Sequence, residues 1–273
     1  MLNPSALYQG LPTQAISRLA GVLARTENRL VSRALVRAFA RHYGIDLSEA
    51  ERGTLEDYRS FNDFFARRLK PGARPVPEDE RAVVSPADGF LSQFGLVEER
   101  RLLQAKSRRL SVRALLTDTD LARRYEGGAY FTVYLSPRDY HRVHAPACGR
   151  LARAIEVPGR LFPVNDGSQA SIRGLFCRNE RLVCDFDHYA LVLVGALIVA
   201  SIETAWPDGP QSPYRTRVES CVEKHFDRAE EVGRFLLGST VIVLFPRDAL
   251  ELDGDLAPGM PLCVGQRIGL RSS

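Results

Sequence analysis

Four short stretches carry residue types that could do chemistry. They are "SPADG" with Asp88, "SPRDYHRVHAP" with His141 and His144, the Asn165 loop "FPVNDGSQ", and the Gly238-Ser239-Thr240 turn. Taken singly, each has an ordinary explanation. Asp88 between Pro86 and Gly89 reads as a turn aspartate, and a serine opening a strand is usually only a polar residue. Two histidines three apart would align on a helix and suggest a metal site, but the stretch lies between prolines and lacks a His-Glu-x-x-His pattern. No metal is expected there.

In combination the residues read differently. A serine hydroxyl becomes a nucleophile when a histidine can take its proton, and the histidine needs a carboxylate to hold its tautomer and balance its charge. Asp88, His144 and Ser239 would supply that set. Ser239 lacks the Gly-x-Ser-x-Gly elbow of hydrolases and follows a glycine, whose missing Cβ leaves its carbonyl open to attack. The electrophile could thus be the chain's own Gly238.

The elements that must position these residues come in two groups. Residues 12–26 place Ile16, Leu19, Ala20 and Leu23 on one helical face, and after a break near Asn28 residues 29–42 align Val31, Ala34, Leu35, Ala38 and Phe39. Arg25, Arg29, Arg33, Arg37 and Arg41 repeat every four residues along this segment. Such a stripe suits either a solvated helix face or an anionic membrane surface. Residues 60–77 predict another helix, with Phe61, Phe64 and Phe65 inward, ending in a proline-rich linker.

Beyond that linker the pattern turns to short strands bounded by Gly, Pro, Asp or Asn: "FLSQFGLV", "AYFTVYLS", "RLARAIEV", "RLVCDF", "ALVLVGALIVASIET" and "STVIVLF". The predicted fold class is α+β: amphipathic helices at the front, then a β-rich two-sheet sandwich or barrel-like domain.

Totals agree with a large folded domain. The 273 residues, 45% hydrophobic and 26% charged, can bury a full core. The five cysteines form no Cys-x-x-Cys pair, which argues against a disulfide framework or zinc knuckle and for a reducing compartment. Residues 1–45 hold six arginines against Glu27, while the rest is about neutral, so the basic, aromatic-interleaved body of a nucleic-acid binder is not seen. The most apolar stretch, residues 190–200, is too short to span a bilayer and reads as buried strand.

Eight ordered blocks add a resemblance. "FNDFFARRLKPGARPV", "SPADGFLSQFG", "LLQAKS", "LSPRDYHRVHAPACGRL", "VPGRLFPVN", "FCRNERL", "LVGALIVASIETAW" and "GRFLLGSTVIVLF" closely resemble bacterial phosphatidylserine decarboxylase proenzymes from about residue 55 onward. The resemblance implies self-cleavage between Gly238 and Ser239, giving a β chain of 1–238 and an α chain of 239–273. Ser239 would become a covalent pyruvoyl group, the only cofactor. Asp88, His144 and Ser239 match the family's charge-relay set, and His141 its other motif histidine, for which the expected role is the acid that reprotonates the product carbon. The ketone would take the amine of phosphatidylserine as a Schiff base and act as electron sink, yielding phosphatidylethanolamine and carbon dioxide.

The same resemblance tips the arginine stripe toward a membrane. It divides the chain into a membrane-associating region, 1–58, and a catalytic domain, 59–273. The expected setting is peripheral, on the cytoplasmic face of the cell membrane, with phosphatidylserine as partner and a dimer of the αβ unit left open. After Asn165, residues 166–170 have no position-by-position match to the family, and the closing segment matches it only in outline. Two other readings stay open: a phosphocarrier-like binding module, which would remain one intact chain, and a pyruvoyl decarboxylase acting on a soluble amino acid.

Overall fold

The structure, a computed structural model, describes residues 20–105, 108–196, 202–210, 213–236 and 239–272. Residues 20–25 are helical. The next helix, α1 (Arg29–Tyr43), begins where Asn28 Oδ1 accepts from the N–H groups of Leu30 and Val31, and it ends at Gly44 in the left-handed conformation. The break expected near Asn28 is therefore an N-cap. Ile16 and Leu19 lie outside the described residues.

α1 does not bury the stripe expected of it. Ser32, Val36 and Ala40 are buried, with Leu35 and Phe39 partly so, because this side packs on Phe61, Phe64 and Phe65 of α2 (Phe61–Phe65). Val31, Ala34 and Ala38 face outward beside Leu30. α2 is also shorter than expected, a single turn capped by Ser60, although its three phenylalanines are all buried.

The strands then follow: β1 (Ala82–Val84), β2 (Gly89–Leu96), the hairpin β3 (Arg101–Ala105) and β4 (Arg108–Ser111), helices α3 (Val112–Leu116) and α4 (Thr119–Arg124), and β5 (Ala129–Leu135). After β6 (Arg142–His144) and β7 (Gly149–Val157) come α5 (Asp166–Ser171), α6 (Leu175–Arg178), β8 (Arg181–Phe186), β9 (Ala190–Val194) and β10 (Ile202–Thr204). The chain closes with β11 (Val218–Phe226), β12 (Glu231–Phe235), β13 (Ser239–Leu244), β14 (Leu250–Leu252), β15 (Pro261–Leu262) and β16 (Arg267–Arg271).

Eight strands form one antiparallel sheet in the order β11-β7-β8-β9-β13-β5-β2-β15. Two three-stranded sheets, β1-β16-β14 and β10-β12-β6, and the β3-β4 hairpin accompany it. The α+β order is as expected, but the described residues form no closed barrel, and a large sheet with smaller sheets replaces a two-sheet sandwich.

Strand alternation explains the layers. Val241 and Val243 of β13 join Val143, Val232, Phe235 and Ile202 from the β10-β12-β6 side. Ile242 and Leu244 join Val112, Leu115, Leu121 and Phe176 from the helical side. With both faces covered, β9 and β13 read as unbroken apolar runs rather than alternating ones. This placement puts Ser239 at the head of one of the two central strands of the sheet, wholly buried and on the parity of Val241.

Candidate functional site

Ser239 is the first residue of β13 and pairs with Leu135, the last residue of β5. Its Oγ is buried and has no hydrogen-bond partner among the described residues. Thr240, on the opposite face, is paired on both sides, with Tyr134 of β5 and Val194 of β9. From Thr240 onward the strand is thus held by two ladders, whereas Gly238 lies outside the described residues.

On the other side of β5, Gly89 approaches Tyr134 so closely that a Cβ would stand 2.2 Å from the Tyr134 carbonyl oxygen. Only glycine fits there. Asp88 is consequently brought to the same end of β5 as Ser239, two strand spacings or about 10 Å away along the sheet. The residue is 8% exposed and its carboxylate is firmly held. Arg74 donates from Nε to Oδ1 at 3.0 Å and from Nη2 to Oδ2 at 2.5 Å, and the Val264 N–H donates to Oδ1 at 2.7 Å.

The histidines follow β5 directly. Ser136 to Asp139 make a turn in which the Asp139 carboxylate accepts from the Ser136 N–H at 2.7 Å, with Pro137 at the position where its fixed φ favours a turn. His141 is fully buried; its Nδ1 lies 2.8 Å from the Asp139 carbonyl oxygen, and its ring packs on Phe65 with centroids 4.0 Å apart. A carbonyl oxygen only accepts, so Nδ1 carries the proton and Nε2 presents a lone pair, which has no partner among the described residues. Burial pushes the His141 pKa down to about 3, and the nearby Arg67 cation acts in the same direction.

His144 is built differently. Its backbone N–H bonds the Pro86 carbonyl at 2.8 Å, which ties it to the Asp88 loop, and β6 pairs with β12 through Glu231. Its Nδ1 donates to the Ala229 carbonyl at 2.7 Å, and its Nε2 accepts from the Tyr140 hydroxyl at 3.1 Å. Burial lowers its pKa below the ordinary histidine value. β12 leads toward the nucleophile: the Phe235 N–H bonds the His141 carbonyl at 2.9 Å, and Ser239 follows four residues later.

The fold thus gathers Asp88, His141, His144 and Ser239 around the end of β5, but the relay is not linked by hydrogen bonds. Among the described residues, the Ala229 carbonyl occupies His144 Nδ1, Tyr140 occupies Nε2, and Arg74 with Val264 holds Asp88. Tyr140, Arg74 and Arg67 were not singled out from sequence, although all three lie within the blocks that carried the resemblance or beside them. The Ala229 carbonyl gives no sequence signal at all. Asn165 lies elsewhere, capping α5 by accepting from the Ser168 N–H at 3.0 Å. α5 walls a cleft of about 650 Å³ that Phe90, Gln93 and Tyr134 line from the sheet.

An unpartnered, buried Ser239 at the start of a doubly paired strand fits a residue converted to a pyruvoyl group. Conversion would break no side-chain hydrogen bond, and the ladders from Thr240 onward would hold the new chain end.

The family model for phosphatidylserine decarboxylase matches residues 61–270, and a second, described as PSD, matches residues 5–44. A phosphatidylserine decarboxylase proenzyme of Pseudomonas fluorescens is 46% identical over 271 residues, covering 95% of this chain and 94% of its own length. Those of Acinetobacter baumannii and a Polaromonas species are 44% and 43% identical, the first covering 95% of this chain and 93% of its own length, the second 94% of each. The chain belongs to the phosphatidylserine decarboxylase family.

Proposed function

We propose that the chain is a proenzyme that cleaves itself between Gly238 and Ser239 and then decarboxylates phosphatidylserine to phosphatidylethanolamine. The observation that carries this reading is the placement of Ser239: buried and unpartnered, at the head of a core strand and at the same end of β5 as both motif histidines.

In the first stage Ser239 Oγ attacks the Gly238 carbonyl carbon while His144 Nε2 takes the hydroxyl proton, which requires Tyr140 to yield that nitrogen. The peptide C–N bond breaks and leaves an ester at Oγ with a free amine on Ser239. Loss of the Ser239 α-proton breaks the Cβ–Oγ bond, so the oxygen departs on the Gly238 carboxylate. The remaining dehydroalanine tautomerises to an imine, and water replaces its nitrogen as ammonia to leave the ketone.

That pyruvoyl ketone supplies the electron sink for loss of carbon dioxide from an α-amino acid. His141 moves the proton of turnover: its lone pair at Nε2 takes a proton that the substrate amine sheds as it reacts, and, being a weak base here, gives it up readily to the carbon that has lost carbon dioxide. Asp88 carries a second duty beside the relay. Its bond to Val264 crosses from the β chain to the α chain and helps hold the two together after cleavage.

The N-terminal helices suit a lipid substrate. Leu30 is 83% exposed and Val22 64%, and Arg25, Arg29 and Arg37 are exposed along the same segment. An apolar strip bordered by arginines matches the boundary between acyl chains and anionic head groups. Among the described residues no helix is long and apolar enough to cross a membrane. We assign a peripheral position on the cytoplasmic face of the cell membrane.

The test is release of labelled carbon dioxide from vesicles containing serine-carboxyl-labelled phosphatidylserine. The wild-type protein is expected to release it and Ser239→Ala to release none; release by Ser239→Ala at the wild-type rate would overturn the reading.

A further inference from the structure

Three consecutive residues after the N-terminal helices grip the histidine loop. The Phe65 ring packs on His141. The Ala66 carbonyl accepts from Arg142 Nε at 2.9 Å and Nη2 at 2.8 Å. Arg67 Nη2 donates to the Arg138 carbonyl at 2.9 Å and, more weakly, to the Asp139 carbonyl at 3.4 Å. The Asp139 carbonyl is the same oxygen that accepts the His141 Nδ1–H.

Arg67 is an unusual residue to bury. It is 6% exposed, and among the described residues no carboxylate bonds to it and its Nη1 has no hydrogen-bond partner. Taking a guanidinium out of water without a paired acid is costly. Structural need alone would be met by an apolar side chain against Phe64, whose ring lies under the guanidinium at 5.8 Å. What only a cation at this place does is disfavour a second positive charge on His141 while holding the loop carbonyls in position.

The grip is continuous with the front helices. Phe65 and Phe61 pack against Phe39 of α1 at 5.8 and 4.9 Å between centroids, and all three belong to the cluster that includes Val36 and Ala40.

We propose that Arg67 is a positioning residue for decarboxylation: by holding the carbonyls of residues 138 and 139 it keeps His141 as the neutral Nδ1–H tautomer with Nε2 free, and Phe65 makes this arrangement part of the N-terminal helical unit. The proposal rests on the reading of His141 as the proton carrier of turnover. Arg67 acts through the histidine, not on the substrate. It should therefore matter for turnover and not for self-cleavage, which draws on His144.

The first readout is independent of the mature enzyme. In ring-¹⁵N-labelled Ser239→Ala protein, His141 is expected to show a protonated Nδ1 and a bare Nε2 and to stay neutral from about pH 5 to 8, unlike an ordinary histidine. Adding Arg67→Met should introduce the other tautomer, because the Asp139 carbonyl is no longer held by the guanidinium, while burial, the larger cause, still keeps the ring neutral. Among the groups that shift His141, Arg67 is the charged one, so its removal moves the titration upward.

The second readout is kinetic. In the otherwise wild-type chain, Arg67→Met is expected to self-cleave at the normal rate but to lose about tenfold in kcat with KM within about twofold, the pattern of an interaction lost from the chemical step. Arg67→Lys keeps the charge without the planar fork, and it should recover part of kcat and keep His141 neutral. Normal tautomer and kcat in Arg67→Met would overturn the proposal. A changed tautomer in Arg67→Met, with normal kcat in both that variant and His141→Gln, would instead overturn the role of His141 in turnover.

Discussion

His141 and His144 stand three residues apart in one motif, yet they sit in two different surroundings. His141 is sealed between Phe65 and the Asp139 carbonyl with Nε2 bare, next to a buried cation. His144 has both ring nitrogens engaged, by Ala229 and Tyr140, and is tied through its backbone to the Asp88 loop. In the proposed mechanism the difference divides the chemistry. The N-terminal unit builds the surroundings of His141, whereas Tyr140, the turn before β12 and the segment before β2 build those of His144. One motif can therefore serve maturation and turnover separately.

The sharpest way to break this division is the reciprocal pair of substitutions. His144→Ala is expected to slow self-cleavage by about 10²–10⁴-fold, the usual worth of a positioned base, while His141→Gln cleaves normally and loses decarboxylation by a similar factor. Gel separation of the two chains and a vesicle assay on cleaved protein read the two effects. Equal loss of both activities in both variants would dissolve the distinction.

A large structural effect should come from the contact that defines the His141 side. Phe65→Ala removes a fully buried ring and is expected to cost about 3–5 kcal/mol, read as a lower denaturant midpoint in the Ser239→Ala background. An unchanged midpoint would mean that the N-terminal unit does not brace the site.

Tyr140→Phe probes the His144 side more gently. The Tyr140 hydroxyl donates to the lone pair that exists only on neutral imidazole, so it favours the neutral form. Without it, His144 should protonate at a higher pH, and self-cleavage, which needs the neutral base, should be lost earlier as pH falls. A hydrogen bond of about 1 kcal/mol corresponds to a shift of roughly half to one pH unit in the acid limb of the cleavage profile. A limb that stays in place or moves to lower pH would contradict the assigned contact.

The smallest effect on the folded protein lies farthest from both histidines. Leu30→Ser should leave stability within about 0.5 kcal/mol, since the side chain is almost wholly exposed, yet weaken binding to anionic vesicles. Unaltered vesicle binding in this variant and in a chain lacking residues 1–45 would return the arginine-striped helices to ordinary packing.

Much of the fold was legible because its strands sit deep. β5, β9 and β13 are buried on both faces and so announce themselves as apolar, β-branched runs. β11 did not, because it lies at an edge of the large sheet with largely polar residues, and β12 was hidden by its shortness and its glycine. The side of α1 that packs was misjudged since residues 30–40 carry apolar side chains on two faces, and only tertiary contact with α2 decides between them. At the site, Asp88, His141, His144 and Ser239 stood out through residue type, while Arg67 and the Ala229 carbonyl did not. A guanidinium bonded to carbonyls, or a carbonyl bonded to an imidazole, leaves no spacing in the sequence to find.

The central claim is that Ser239 is both nucleophile and precursor of the reactive ketone. Intact-mass measurement of the purified protein tests it directly. Two chains are expected, residues 1–238 with a free carboxylate and residues 239–273 beginning in a pyruvoyl group rather than a serine amine. A single full-length chain, or a 239–273 fragment that still begins with serine, would contradict it.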